Sequence, residues 1–424
     1  MNFSRKRKIM GKIKENHYFT IAVSFLRGLF IASIVGVTVG ALGALFGKTL
    51  SIADNFRLEH SFTVFLLPAA GILLVYLYRI TGMSEDKGTN TIILAARAES
   101  EVRFRQAPLI FIATFFTHLC GGSAGREGAA LQLGGGVVSP LKKIFKLDKH
   151  NGSVLTMCGM SAGFAALFGT PAAAAVFAIE VTIVAAAQYS ALVPCMISAI
   201  VSSITAQAFG ANAESFIVSG VPGFGPGNIK ELLLCVLLGI VCAYLSALFC
   251  GVMHKSSELY EKYISNPYIR AAAGGLIIAV LSVLIGTSDY NGAGMEVVHR
   301  AFSGDADPAA FLLKIIFTAL TLGCGFKGGE IVPCFFVGAT FGCTFGSLIG
   351  LDPSFGAAVG LISVFCGVTN CPFASMILSC ELFGMNGLPY YAIAIAISYM
   401  LSGYSGLYSA QQFSQSKVKP VKYS

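Results

Sequence analysis

The chain has 424 residues, 55% of them apolar and 12% charged, where a soluble domain usually carries about a quarter charged. With a mean hydropathy of +0.74 and several runs long enough to cross a bilayer, it is excluded from the soluble, fibrous, disordered and disulfide-stapled classes. An all-α polytopic membrane protein is implied. The formal charge of +8 comes from 29 Lys and Arg against 21 Asp and Glu, and the placement of those cations is informative.

Arg5, Lys6, Arg7, Lys8, Lys12 and Lys14 crowd the start of the chain, so residues 1–18 read as a basic cytoplasmic N-terminus rather than a nucleic-acid patch. The first apolar run, near 18–48, exceeds a signal-peptide core of roughly 7–15 residues and is expected to stay as a membrane helix. Further runs lie near 62–80, 106–120, 128–141, 153–188, 190–209, 229–253, 268–286, 308–323, 331–350, 355–383 and 388–403. Their uneven lengths and Gly interruptions predict broken helices that meet at the membrane midplane. The 12 cysteines sit in apolar runs without CxxC or His spacing and read as small packing residues. The six His show no paired spacing and receive no role. Arg27 and Lys314, inside apolar runs, are expected to snorkel or to face the protein interior.

An internal repeat organises the chain. "GGSAGREGAALQLGGG" around Glu127 is echoed by "GCGFKGGEIVPCFFVGATFG" around Glu330, and "TPAAAAVFAIE" ending at Glu180 by "CPFASMILSCE" ending at Glu381. A first transmembrane repeat over 19–220 and an inverted second repeat over 221–410 are predicted, with a short cytoplasmic tail over 411–424. The "SGVPGFGPGN" segment joins the two repeats. The first run is basic at its start, whereas 229–253 is followed by His254, Lys255, Lys262 and Arg270, so the halves insert in opposite directions. Lys142, Lys143, Lys146 and Lys149 fit a cytoplasmic loop. Such an inverted pair is a transporter architecture with its site where the broken ends converge; the expected place is the inner (plasma) membrane, multi-pass, with both termini cytoplasmic.

Each half carries one Gly-rich turn with a single carboxylate that opens an apolar run, at Glu127 and at Glu330. The first amides of a helix lack intrahelical partners, so two opposed N-termini make an anion-attracting pocket. Gly keeps side chains from holding the anion away. A carboxylate there is itself an anion: charged it occupies the pocket, protonated it leaves, and anion movement becomes coupled to proton movement. The alternative for each Glu is a plain helix cap. For Glu180 and Glu381, matched at helix ends, the symmetric placement favours a structural role. Arg126 and Lys327 flank the two acidic positions and either steer anions or face a wet mouth.

"GREGA" at 125–129, "GGEIVP" at 328–333, the two Pro-to-Glu repeats and "LYSA" at 407–410 together resemble the CLC family of chloride channels and proton-coupled anion antiporters. The resemblance implies a homodimer with one anion pathway per subunit, a gating glutamate at Glu127, and a tyrosine lining the inner anion site at Tyr408, with Tyr404 as the alternative. Three departures point one way. "GTNTI" at 88–92 stands where "GSGIP" is usual, "GEIVP" replaces "GIFAP", and the inner proton-transfer glutamate of chloride/proton exchangers falls on Val181.

This set resembles the bacterial fluoride/proton antiporter branch. It implies gating and proton roles for Glu127 and Glu330, and anion binding by Thr89, Asn90, Tyr408 and the backbone at Gly128, Ala129, Ile331 and Val332. Small, strongly hydrated fluoride suits dense donors. Val332 offers no hydroxyl beside Glu330, and Ala129 stands where the family's usual Pro follows "GREG". The runner-up is a chloride or other halide exchanger or channel. The partners implied are fluoride (possibly chloride, on the runner-up), protons, the lipid bilayer and a second copy, with no nucleic acid and no cofactor. A membrane enzyme would need a nucleophile or metal set converging on the carboxylates, which the sequence does not offer.

Overall fold

The computed structural model describes the backbone of residues 3–417, and the side chains of Phe19 and of residues 22–417. The side chains of the six N-terminal basic residues, and residues 418–424 of the predicted tail, lie outside the described residues. Eight α-helices precede the central connection: α1 (Phe3–Glu59), α2 (Leu67–Ile80), α3 (Thr89–Ala96), α4 (Gln106–Leu119), α5 (Glu127–Ile144), α6 (Lys149–Phe168), α7 (Pro171–Glu180) and α8 (Leu192–Ala208). Eight follow it: α9 (Ile229–Tyr263), α10 (Pro267–Ile285), α11 (Met295–Phe302), α12 (Ala310–Gly323), α13 (Ile331–Ile349), α14 (Pro353–Thr369), α15 (Pro372–Phe383) and α16 (Leu388–Leu401). Among the described residues, seven stretches are long and apolar enough to cross a membrane, among them Ala22–Glu59 and Pro226–Tyr263.

Two expectations need correction. The first helix does not stop near 48 but runs to Glu59, because Asp54 and Arg57 turn inward and pair there. The runs 153–188 and 355–383 are each two helices, broken where Gly169 (φ +70°) and Asn370 (φ +58°) enter the left-handed region and end α6 and α14. Thr89 and Asn90, in the stretch that stands where "GSGIP" is usual, form the first turn of α3. The short helix α11 was not anticipated.

The Pro-to-Glu repeat has a direct physical reading. In α15, Pro372 brings no N–H to the first turn, and the amides of Phe373 and Ala374 donate to the Glu180 carboxylate at 3.2 and 2.8 Å. In α7 the amides after Pro171, those of Ala172 and Ala173, donate to Glu381 at 3.0 and 2.8 Å. Each half therefore caps a helix of the other, and neither Thr170 nor Cys371 supplies a side-chain cap of its own. These bonds bear out the structural role expected of Glu180 and Glu381.

The helices that lead from the two Gly-rich turns pack closely on their successors. A β-carbon on Gly134 would stand 2.0 Å from Gly159 O, and one on Gly338 2.6 Å from Gly360 O, so α5 meets α6 and α13 meets α14 backbone to backbone. From Ser354 to Thr369 every residue of α14 is buried; this helix touches protein, not lipid. A two-stranded parallel pair, β1 (Ile183–Val184) with β2 (Gln412–Phe413), ties the segment after Tyr408 to the end of α7.

Candidate functional site

Gly125 and Gly329 exchange both backbone hydrogen bonds, each 2.7 Å, in an isolated antiparallel bridge. The bridge holds together the turns that open α5 and α13, so two helix N-termini from opposite halves converge. The approach leaves no room for a side chain: a β-carbon on Gly329 would lie 2.6 Å from Gly128 N and 3.2 Å from Glu127 N. Neither helix has a side-chain cap. Ladder bonding begins only with Ala130 N–H on Arg126 O (2.9 Å) and Cys334 N–H on Glu330 O (3.1 Å). The earlier amides, at Gly128, Ala129, Ile331 and Val332, are those a helix leaves without a partner of its own, and they carry the positive end of each helix.

Glu127 is the first residue of α5 and fully buried. Its Oε2 accepts the Arg126 N–H at 3.0 Å. Its Oε1 has no hydrogen-bond partner and lies 3.5 Å from Arg126 Nε, while Arg126 Nη2 is held by Glu214 at 2.5 Å. Glu330 is the N-cap of α13, with its Oε2 buried and unpartnered. A β-carbon on Gly128 would stand 3.4 Å from Thr89 Oγ1 and 3.5 Å from Glu330 Oε2; Thr89, Gly128 and Glu330 thus surround one point. The Thr89 hydroxyl donates to Gly128 O at 3.4 Å and accepts from Gln132 Nε2 at 3.3 Å.

Tyr408 is buried with its hydroxyl unpartnered, within electrostatic reach of both Glu330 and Glu127. Tyr404 is exposed and its hydroxyl bonds Ser416 at 2.8 Å, so of the two tyrosines Tyr408 is the one with a buried, unpartnered hydroxyl. Asn90 meets the cluster only through the chain: its Oδ1 accepts the Ala410 N–H at 2.9 Å, which ties α3 to the segment carrying Tyr408. The Ala129, Ile331 and Val332 side chains are buried and apolar, leaving their amides as the polar groups. Val181, where a proton-transfer glutamate is usual, is fully buried.

The flanking and intramembrane cations have separate partners. Lys327 Nζ sits 4.9 Å over the Tyr78 ring, Arg27 donates to Phe145 O at 2.8 Å, and buried Lys314 donates to Gly292 O at 2.8 Å and Tyr290 O at 3.2 Å. Sequence reasoning missed Gln132, whose Oε1 is buried without a partner beside Thr89. The available signal was an amide one helical turn after Gly128 in a run that is otherwise Gly, Ala and Leu. It also missed His118, fully buried and bonded to Asp54 at 3.2 Å. Glu127 Oε1, Gln132 Oε1, Glu330 Oε2 and the Tyr408 hydroxyl are four orphaned polar atoms around two helix N-termini. Native interiors rarely leave such atoms unpaired without a functional reason.

A family model described as voltage gated chloride channel matches residues 70–403. The chain belongs to the CLC family. This CLC protein is 35% identical over 415 residues to the chloride/fluoride channel protein of Pseudomonas syringae pv. tomato, covering 96% of the chain and 91% of the relative. It is 23% identical over 408 residues to the H+/Cl− exchange transporter ClcA of Salmonella typhi, covering 89% and 84%. A crystal structure of a CLC-type fluoride/proton antiporter superimposes with a TM-score of 0.88 at 32% identity, covering 92% of this chain and 98% of that one. A slow cyanobacterial Cl−/H+ antiporter, at 17% identity and TM-score 0.75, shares the fold over 89% of this chain and 94% of its own. The polytopic all-α CLC architecture expected from the repeat is thereby established.

Proposed function

We propose that this CLC protein exports fluoride in exchange for protons, with Glu127 as the outer gate and Glu330 as a second proton-handling carboxylate. The observation that carries the reading is the Gly125–Gly329 bridge, which joins the two turns that open α5 and α13 and so brings together two uncapped helix N-termini, each bearing one of the carboxylates. Ionised Glu127 competes with the anion for that positive pocket; protonated, it no longer does, and the path opens. Leaving a charge unpartnered at mid-membrane costs roughly 2.5–3.5 kcal/mol on insertion scales, which favours exchange of anion for proton over simple vacancy.

The amides of Gly128, Ala129, Ile331 and Val332, with the Thr89 and Tyr408 hydroxyls, supply the donors a charge-dense anion requires, and Asn90 contributes by holding the Tyr408 segment through the Ala410 N–H. Gln132 orients Thr89. Glu330 takes the inner proton role in place of a residue at Val181. Because both halves of one chain furnish the site, each subunit of a homodimer holds a complete pathway. The basic segments at 142–149 and 254–270 support a plasma-membrane orientation with both termini cytoplasmic.

Chloride or another halide as the substrate is the second reading, favoured by the likeness to H+/Cl− exchange transporters. Reconstituted vesicles read with fluoride-selective and chloride-selective electrodes separate the two. Fluoride efflux that exceeds chloride efflux and responds to a pH gradient is expected; faster chloride efflux would overturn the fluoride assignment.

A further inference from the structure

Glu127 is fully buried, so if it serves as the gate its protons must reach it from the outer solution by a defined route. Asp54 lies near the end of α1 that is remote from the basic N-terminus, and it lines a cavity of about 270 Å³ together with Arg57, Arg126, Glu214 and Asn291. Its side chain is 28% exposed, while the His118 side chain beside it is 0% exposed. The imidazole Nδ1 meets the Asp54 carboxylate at 3.2 and 3.4 Å. On the other side of the ring, Nε2 is buried with no hydrogen-bond partner. Arg126, which lines the same cavity, lies 3.5 Å from the carboxylate of Glu127, a group also 0% exposed and with its Oε1 likewise unpartnered.

We infer that Asp54 and His118 form a proton relay that serves Glu127 from the outer cavity. Three features argue for a relay over a buried ion pair kept for stability. The two groups follow a gradient from wet to dry. The ring presents one nitrogen to the part-exposed carboxylate and keeps the other buried and unsatisfied. Histidine is also the side chain suited to take and release a proton near neutral pH.

In the relay, Asp54 takes a proton from cavity water and passes it to Nδ1 of the ring. The imidazolium releases the proton on Nε2, which crosses a bridging water to the Glu127 carboxylate. One proton enters and one leaves, no electrons move, and water-assisted transfer of the remaining ring proton from Nδ1 to Nε2 restores the starting tautomer. The charged groups around the Asp54–His118 pair set this balance: Arg57 on α1, Arg126 on α5, Glu214, Asp289 and Glu296 in the same cavity, and buried Lys314 on α12, which donates to the carbonyl of Gly292 beside Asp54. Arg57 lies 3.6 Å from Asp54 and Arg126 is engaged by Glu214, so neither cation bonds the ring.

This inference rests on the reading of Glu127 as the gate, and the experiment separates the two. The full-length protein is reconstituted as wild type, His118→Gln, Asp54→Asn, Glu127→Gln and His118→Gln with Glu127→Gln, with fluoride efflux and proton uptake recorded together at several outer pH values. The relay predicts that His118→Gln slows coupled exchange about 100-fold, the scale of a lost acid–base group. It predicts that the acceleration on acidifying the outer solution is lost, and that the substitution adds nothing where Glu127→Gln has already removed the proton step. Should His118→Gln fail to assemble, Asp54→Asn, isosteric and part-exposed, carries the same three expectations. Wild-type coupled rates in His118→Gln or Asp54→Asn, or equal slowing with and without Glu127→Gln, would overturn the relay. Intact coupling in Glu127→Gln alone would instead remove the gate assignment.

Discussion

Replacing Glu180 by Ala removes a carboxylate that accepts the Phe373 and Ala374 amides at 3.2 and 2.8 Å and leaves a buried amide at Ala374 and a part-buried one at Phe373 without that partner. Hydrogen bonds to charged groups contribute about 1.5–3 kcal/mol each, so the loss is roughly 3–6 kcal/mol for the pair. Glu180→Gln keeps one acceptor oxygen but turns an NH2 toward a donor, and should cost about half as much. Glu381→Ala strips the mirror-image cap from Ala172 and Ala173. Its loss should be smaller, because Glu381 is half-buried where Glu180 is buried and water can replace part of what is lost. Thermal unfolding of the purified protein, followed by size-exclusion profile, orders the variants as wild type, Glu180→Gln, Glu180→Ala from most to least stable. The ratio of fluoride to proton moved by the surviving folded protein should be unchanged, since these carboxylates lie at the helix caps rather than the pathway. A Glu180→Ala protein that melts with the wild type, or one that keeps its stability and loses coupling, would refute the capping argument.

Gly329→Ala should reduce transport severely, because its β-carbon would sit 2.6 Å from Gly128 N; overpacking of this kind costs about 1–3 kcal/mol, readable as a lowered melting temperature together with lost fluoride flux. Glu127→Gln should slow or uncouple exchange, since a permanently neutral side chain cannot alternate between blocking the site and carrying a proton, and simultaneous fluoride and pH recording would expose any proton flux that persists. Glu330→Gln should abolish coupled turnover while the protein still folds; full exchange in this variant would leave Glu330 as a helix cap only. Changing residues 88–92 toward "GSGIP" should lower the ratio of fluoride to chloride efflux, measured with two electrodes on the same vesicles, without loss of expression.

The inverted pairing and the two acidic turns were legible because their signals are local and repeated: a carboxylate among glycines at Glu127 and Glu330, and a Pro followed by a Glu at Pro171 and Pro372. The helix breaks at Gly169 and Asn370 were not, since neither interrupts the apolar run and only their left-handed backbone marks the stop. Helix α3 stayed hidden because it has only eight residues and opens on Thr and Asn, which read as a turn. Hydropathy marks the end of the apolar run near 48 but not the end of α1, because the last turns of that helix carry Asp54 and Arg57, which pair with each other. The contact of Asp54 with His118 spans 64 residues, and no spacing rule connects positions that only tertiary packing brings together. Gln132 was visible as a residue but not as a neighbour of Thr89, which lies on another helix.

The central claim is that fluoride moves against protons through a site built by the two Gly-rich turns. Vesicles holding the wild-type protein with equal fluoride on both sides, the membrane voltage clamped at zero and a pH gradient imposed, test it most directly. Coupled exchange predicts net fluoride movement toward the acidic side, driven by the pH gradient alone and absent in Glu127→Gln. Fluoride that stays at equilibrium across the imposed gradient would show a passive channel and contradict the account.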